Sequence, residues 1–194
     1  RWTPALLSFS TTRAPDFQFR PGHYTRVGVG KAGDAGVWRP LSLASGAEEN
    51  FLEFFAVLIP GGELSAELAR LKVNDVVRID KRTYGFLTLD QLAPGKNLWL
   101  LATGTGLAPF VSILHEPSVW RNFQDITVVH SVRHANELAY REAILELPKD
   151  PCVADGAARL TYLPVVTREP GATALAQRIP QLLADGSLEM AAGR

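Results

Sequence analysis

LWLLATGTGLAPF, residues Leu98–Phe110, is the stretch whose reading decides the fold. An apolar run enters a turn with glycine at positions 104 and 106, and the turn opens an amphipathic segment, APFVSILHE. Chemistry that brings a pyrophosphate against bare backbone needs this order: a buried strand, a turn without Cβ atoms, then a helix N-terminus with unpaired N–H groups. The third glycine of the dinucleotide fingerprint is replaced by Pro109, which suits the first helical turn because an N–H there has no partner anyway. A Gly-x-Gly after a strand is a weak signal alone. Its weight comes from a second motif, Arg39-Pro40-Leu41-Ser42, which begins 65 residues before Gly104. Together the motifs point to two sites, one for a flavin and one for a pyridine nucleotide.

Around the glycine turn, strand and helix alternate. NLWLLATG, DITVVHSV and RLTYLPVV read as strands, and APFVSILHE as a helix. ANELAYREAILEL reads as a longer helix, and TALAQRIPQLLADG as a helix broken at Pro180. Nearly all-apolar strands in alternation with helices imply a parallel sheet covered on both faces. Before Pro94-Gly95 the style differs. RWTPALLSF, HYTRVGVG, FLEFFAVLI and VVRID are short strands separated by turns such as Arg20-Pro21-Gly22, Lys31–Gly33 and Ser45-Gly46. Such spacing suggests an antiparallel barrel or sandwich. One helical segment interrupts it, Glu63–Leu71, with Leu64, Leu68 and Leu71 on one face. The chain thus divides into residues 1–93 and 94–194.

The 194 residues carry 20 basic and 20 acidic side chains, which argues against nucleic acid or an anionic membrane as partner. No apolar run reaches the roughly 18 residues of a membrane span. Cys152 is the single cysteine, so this chain alone builds no internal disulfide and no Cys₄ iron–sulfur cluster. Redox chemistry would come from an organic cofactor.

Each motif has a plain reading beside the functional one. Arg39–Ser42 reads as a strand with one exposed arginine, or as a guanidinium gripping a phosphate with Ser42 bonding the flavin edge. Pro60–Ser65 reads as a turn with a hydroxyl N-cap, or as a phosphate cradle built from the Gly62–Ser65 N–H groups and the helix dipole. Arg133 and Arg168 follow strands and Arg178 flanks a helix start, at the sheet edge where ligands collect. They read as three solvated cations, or as a clamp for a ribose 2′-phosphate, which favours NADP(H) over NAD(H). His23, His115, His130 and His134 lack metal-ligand spacing, and His130 reads as a core histidine. Ser42 has no nucleophile-elbow context.

Arg39-x-x-Ser42, Gly62-x-x-Ser65, Gly104-Thr105-Gly106-Leu107-Ala108-Pro109, VHSVR and VVTRE, in this order, resemble the ferredoxin/flavodoxin–NADP(H) reductase family, bacterial subclass. The resemblance runs over essentially the whole chain. It implies an N-terminal antiparallel β-barrel binding FAD, then a parallel, Rossmann-like α/β domain binding NADP(H). It implies hydride transfer from nicotinamide to flavin N5 and one-electron exchange with an acidic carrier, ferredoxin and/or flavodoxin, by a monomeric cytoplasmic enzyme with no metal. Ser42 and Thr105 carry over as the catalytic pair at the reacting edge. Arg39, Pro40, Leu41 and Ser42 carry over as FAD contacts with Ala56, Val57 and Leu58, and Gly62, Glu63, Leu64 and Ser65 fall at the pyrophosphate. Thr105 falls at the flavin–nicotinamide junction, Gly104 and Gly106 carry over as cofactor-binding residues beside it, and Arg133, Arg168 and Arg178 fall at the 2′-phosphate.

There are two departures. Leu41 stands where the family has a tyrosine stacked on the flavin, leaving an apolar wall without a π contact. The family's final strand, with Cys-Gly-x-Pro, and its C-terminal tail have no counterpart in these residues; the sequence starts without Met and stops at Met190–Arg194 just past a helical stretch, so both ends are expected to be incomplete. Two other readings share the motifs: an NADH-fed reductase module of an oxygenase, and a flavin or nucleotide sensor without turnover.

Overall fold

Short β-branched and aromatic runs in the first half pair as antiparallel strands. In the computed structural model, which describes residues 1–29, 36–153 and 156–194, β1 (Leu6–Thr12) pairs with β4 (Phe51–Val57). The expected turn at Lys31–Gly33 lies outside the described residues. β2 (Tyr24–Val29) lies between β3 (Val37–Ser42) and β5 (Arg78–Tyr84). A bridge between Leu43 and Phe54 joins the end of β3 to β4, so the expected barrel takes the form of two linked antiparallel sheets. Val27, Leu43, Leu52 and Phe54 fill the space between them with Phe17 and Phe19. Helix α1 (Glu63–Arg70) lays Leu64 and Leu68 against Val29 and Ala56. Arg39–Ser42 is strand, and Pro40 is accommodated because β3 lies at the end of its sheet, where a missing N–H costs little.

In the second half β6 (Asn97–Thr103), β7 (Asp125–Val132) and β8 (Arg159–Val166) form a parallel sheet in that order. The near-continuous apolar run of β6 follows from burial on both faces. Leu98, Leu100 and Ala102 pack with Val111 and Leu114 of α2 (Ala108–Leu114) and Trp120 of α3 (Pro117–Asn122). Trp99 and Leu101 face Ile179 and Leu182 of α5 (Ile179–Ala184) and Leu188 of α6 (Ser187–Ala191). The buried Trp120 indole N–H is satisfied by the Leu114 carbonyl at 2.8 Å.

Two helices differ from the sequence reading. The long helix over Ala135–Leu147 is a single 3₁₀ turn at Ala135–Glu137 followed by the short α4 (Arg141–Glu146). Tyr140 between them is left-handed, with φ 62°, a conformation that ends a helix and is rare for a non-glycine residue. Tertiary packing holds it there: its ring lies 5.1 Å from Phe55 edge-on and 5.2 Å from Trp2, and its hydroxyl donates to Glu53 Oε1 at 2.9 Å. The stretch before Pro180 is not helical either. Leu175 there bridges to Val165, and Pro180 opens α5 rather than breaking a helix, since the first turn does not use its absent N–H.

Tyr140 therefore latches the α/β half onto strand β4, and a second tie joins Ser112 of α2 to the Ser45 carbonyl at 2.7 Å. Burial pushes the Glu53 carboxyl up, against the lowering effect of the Tyr140 hydroxyl. Tyr140→Phe removes that donor and leaves the half-buried carboxylate short of a partner. It should cost about 1–3 kcal/mol in urea unfolding, and an unchanged midpoint would contradict the latch. Among the described residues no helix is long and apolar enough to cross a membrane.

Candidate functional site

A cavity of about 570 Å³ opens at the C-terminal ends of β6, β7 and β8. Ligands of parallel α/β sheets bind at this edge. Gly104 and Thr105 line it after β6, Arg133 after β7, Arg168 after β8 and Arg178 at the start of α5; Ala5, Leu6 and Val57 of the antiparallel half face them. Residues Gly104–Leu107 form a 3₁₀ turn that leads into α2 with Pro109 in its first turn. Gly104 has φ +51°, and a Cβ placed at Gly104 or Gly106 would meet nothing within 4 Å, so the outer face of the turn is open to a ligand.

Arg133, Arg168 and Arg178 line this one cavity, and backbone hydrogen bonds fix two of their loops to each other. The Thr167 N–H donates to the Val132 carbonyl at 3.0 Å and the Arg168 N–H to the Arg133 carbonyl at 2.9 Å. Two acids that sequence reading missed tighten this edge. Glu137 Oε2 accepts from the Arg133 and His134 N–H groups at 2.9 and 3.0 Å, and Glu169 Oε2 accepts from the Ala135 N–H at 2.9 Å. A glutamate three residues after the start of a turn, His134-x-x-Glu137, is the capping pattern that would have found the first. Both carboxylates are thus committed to backbone, and among the described residues no ion pair holds the Arg133, Arg168 or Arg178 guanidinium groups. Three arginines thus line one cavity.

On the antiparallel half, Arg39 lies where β3 meets the start of α1. Its Nη1 donates to the Trp38 carbonyl at 2.9 Å, and Nη2 stands 3.3 Å from Glu63 Oε2, the first helical residue. Gly62 is the N-cap, with no side chain capping the helix. The Ser65 hydroxyl instead accepts from the Ile59 N–H at 2.9 Å, tightening the Pro60–Gly62 turn. A cation and uncapped helical N–H groups thus converge where an anion fits.

The other predicted residues divide. Val57 lines the cavity. Leu64 and Ala56 are buried in the core, so a ligand could reach only their backbone, and the Leu58 N–H is bonded to the Ala5 carbonyl at 2.7 Å. Leu41 is partly buried against the core clusters on either side of it, while Pro40 beside it is exposed. Ser42 ends β3 two residues before Ala44, which packs in the same cluster as Leu107 of the glycine turn.

His130 is fully buried in β7, as the sequence suggests, but it also touches the site: Nε2 lies 3.2 Å from the Gly104 carbonyl and Nδ1 3.1 Å from the Tyr162 hydroxyl. Burial lowers its pKa from the ordinary 6.5 to about 4. The unfolded chain therefore takes up a proton below pH 6.5 that the folded chain refuses until about pH 4. Stability contributed by the neutral ring is complete above pH 6.5 and falls as pH drops through this window, by about 3 kcal/mol in all. In urea unfolding across pH, His130→Gln should flatten this acid limb; a limb of unchanged depth would contradict the assignment.

Comparison with known proteins agrees with the geometry. Residues 100–192 match the family model for the oxidoreductase NAD-binding domain. A ferredoxin–NADP reductase A of Sorangium cellulosum is 39% identical over 189 residues, covering 96% of this chain and 67% of that protein. The flavodoxin/ferredoxin–NADP reductase of Escherichia coli is 37% identical over 192 residues, covering 99% and 75%. A crystal structure of a ferredoxin NADP+ reductase from Neisseria gonorrhoeae with bound FAD and NADP superposes with a TM-score of 0.89 at 34% identity, covering 99% of this chain and 75% of that one. The chain spans about two thirds of the length of the Sorangium relative and of a Pseudomonas aeruginosa ferredoxin–NADP reductase.

Proposed function

The chain belongs to the ferredoxin/flavodoxin–NADP reductase family, and on that premise we propose that it is an FAD-dependent oxidoreductase exchanging electrons between NADP(H) and a ferredoxin or flavodoxin. The observation that carries the reading is that one cavity brings the open Gly104–Gly106 turn together with three arginines that have no ion-pair partner among the described residues. A dianionic 2′-phosphate needs such a charge cluster, whereas a bare ribose hydroxyl does not.

Residues 1–93 hold the FAD and residues 94–194 the NADP(H). Arg39 neutralises the FAD pyrophosphate with the N–H groups at the start of α1, and Glu63 must give up its contact with Arg39 when the phosphate arrives. Ser42 and Thr105 border the reacting edge, Ser42 from the end of β3 and Thr105 from the glycine turn. The flavin, when bound, supplies the conversion between two-electron and one-electron chemistry. The protein's part is positioning: it sets the two rings against each other and excludes water between them. Leu41 offers the bound ring an apolar edge only. In this reading the enzyme works in the cytoplasm as a monomer, with an acidic carrier protein as its partner.

NADPH-driven reduction of cytochrome c tests the whole path. Protein reconstituted with FAD should reduce cytochrome c rapidly only when a ferredoxin or flavodoxin is added. A rate indifferent to either carrier would overturn the carrier assignment.

A further inference from the structure

The Gly104 carbonyl is an acceptor only, so the hydrogen bond at 3.2 Å requires His130 Nε2 to carry the proton. In a neutral ring Nδ1 is then an acceptor, and the Tyr162 hydroxyl at 3.1 Å is its donor. The chain of bonds runs one way, from Tyr162 on β8 through His130 on β7 to the turn after β6. All three parallel strands thereby act on a single peptide group.

That peptide group joins Gly104 to Thr105. A trans peptide is planar, with its C=O and N–H on opposite sides. When the Gly104 carbonyl is drawn inward to His130, the Thr105 N–H must face outward, and both residues line the cavity. The opposite orientation would present a carbonyl oxygen to the ligand, an acceptor where the ligand also brings acceptors. Gly104 sits at φ +51° without a Cβ to limit its backbone, so this peptide is fixed by hydrogen bonds, the His130 bond adding to those of the Gly104–Leu107 3₁₀ turn.

We infer that His130 is a positioning residue: its Nε2–H holds the Gly104 carbonyl inward and keeps the Thr105 N–H aimed into the cavity, as a donor to an oxygen of the dinucleotide beyond its adenosine half. This rests on reading the glycine turn as the dinucleotide seat. His130 touches no ligand itself, and it acts through the orientation of one peptide.

Calorimetric titration of the FAD-loaded protein with NADP+ and with 2′,5′-ADP separates this role from a general structural one. 2′,5′-ADP occupies the arginine clamp but lacks the nicotinamide half. His130→Leu should weaken NADP+ binding about tenfold, the worth of one hydrogen bond, and leave 2′,5′-ADP unchanged. His130→Gln, whose amide N–H can still reach the carbonyl, should restore NADP+ affinity. Unchanged NADP+ affinity in His130→Leu, or equal weakening of both ligands, would overturn the inference while leaving the proposed function intact. Failure of the unsubstituted protein to bind either ligand would overturn both. Should His130→Leu not fold, the imidazole ¹⁵N shifts of the unsubstituted protein decide: an Nε2-protonated tautomer is expected, and an Nδ1-protonated one overturns the inference.

Discussion

Arg133→Ala or Arg168→Ala should raise KM for NADPH about ten- to a hundredfold and leave NADH almost unaffected. Each arginine lines the cavity without a carboxylate partner among the described residues, so its charge is available to a ligand. Removing one charge-assisted contact to a phosphate costs about 1.5–3 kcal/mol, which gives that range. NADH lacks the 2′-phosphate and so has nothing to lose at this clamp. The loops themselves should survive, because the Thr167–Val132 and Arg168–Arg133 bonds are made by backbone. Steady-state kinetics with both nucleotides checks this. Equal loss with each would mean that the arginines serve the pyrophosphate or the fold. Unsubstituted protein that prefers NADH would favour the oxygenase-module reading instead.

Arg39→Ala should give a folded protein that purifies largely without flavin. Within the protein Arg39 contributes little: its contact with Glu63 joins side chains 54% and 72% exposed, and pairs so solvated are worth little. Towards a pyrophosphate the same guanidinium forms a charge-assisted contact, and its loss should weaken FAD binding by about 1.5–3 kcal/mol. Flavin content per polypeptide, with a urea midpoint close to that of the unsubstituted protein, is the measurement. A yellow Arg39→Ala protein with full flavin would remove Arg39 from the FAD site.

The sheet and its glycine turn were legible because they rest on local signals. Leu98–Ala102 is apolar on both faces because helices cover both, Gly104 takes a left-handed backbone position, and Pro109 stands in a first helical turn that does not use its N–H. The arginine cluster was legible through topology, since strand ends of a parallel sheet converge. The rest depends on partners far along the chain. Tyr140 leaves helical geometry to reach Glu53, 87 residues away, and no periodicity in residues 135–147 records that. His130 looks like any core histidine until Gly104 and Tyr162 are placed beside it, 26 and 32 residues away. Leu64 and Ala56 match the family motif by position, yet their side chains serve the core. A motif match fixes where a residue sits in the chain, not which of its atoms meets a ligand.

In the proposed function one cavity brings NADPH to a flavin held by the antiparallel half. Anaerobic mixing of FAD-reconstituted protein with one equivalent of NADPH, followed in the visible flavin band, tests it most directly. The account predicts rapid bleaching of the bound flavin by NADPH and much slower bleaching by NADH at the same concentration. A protein that takes up no FAD, or a bound flavin that keeps its colour in NADPH, would contradict it.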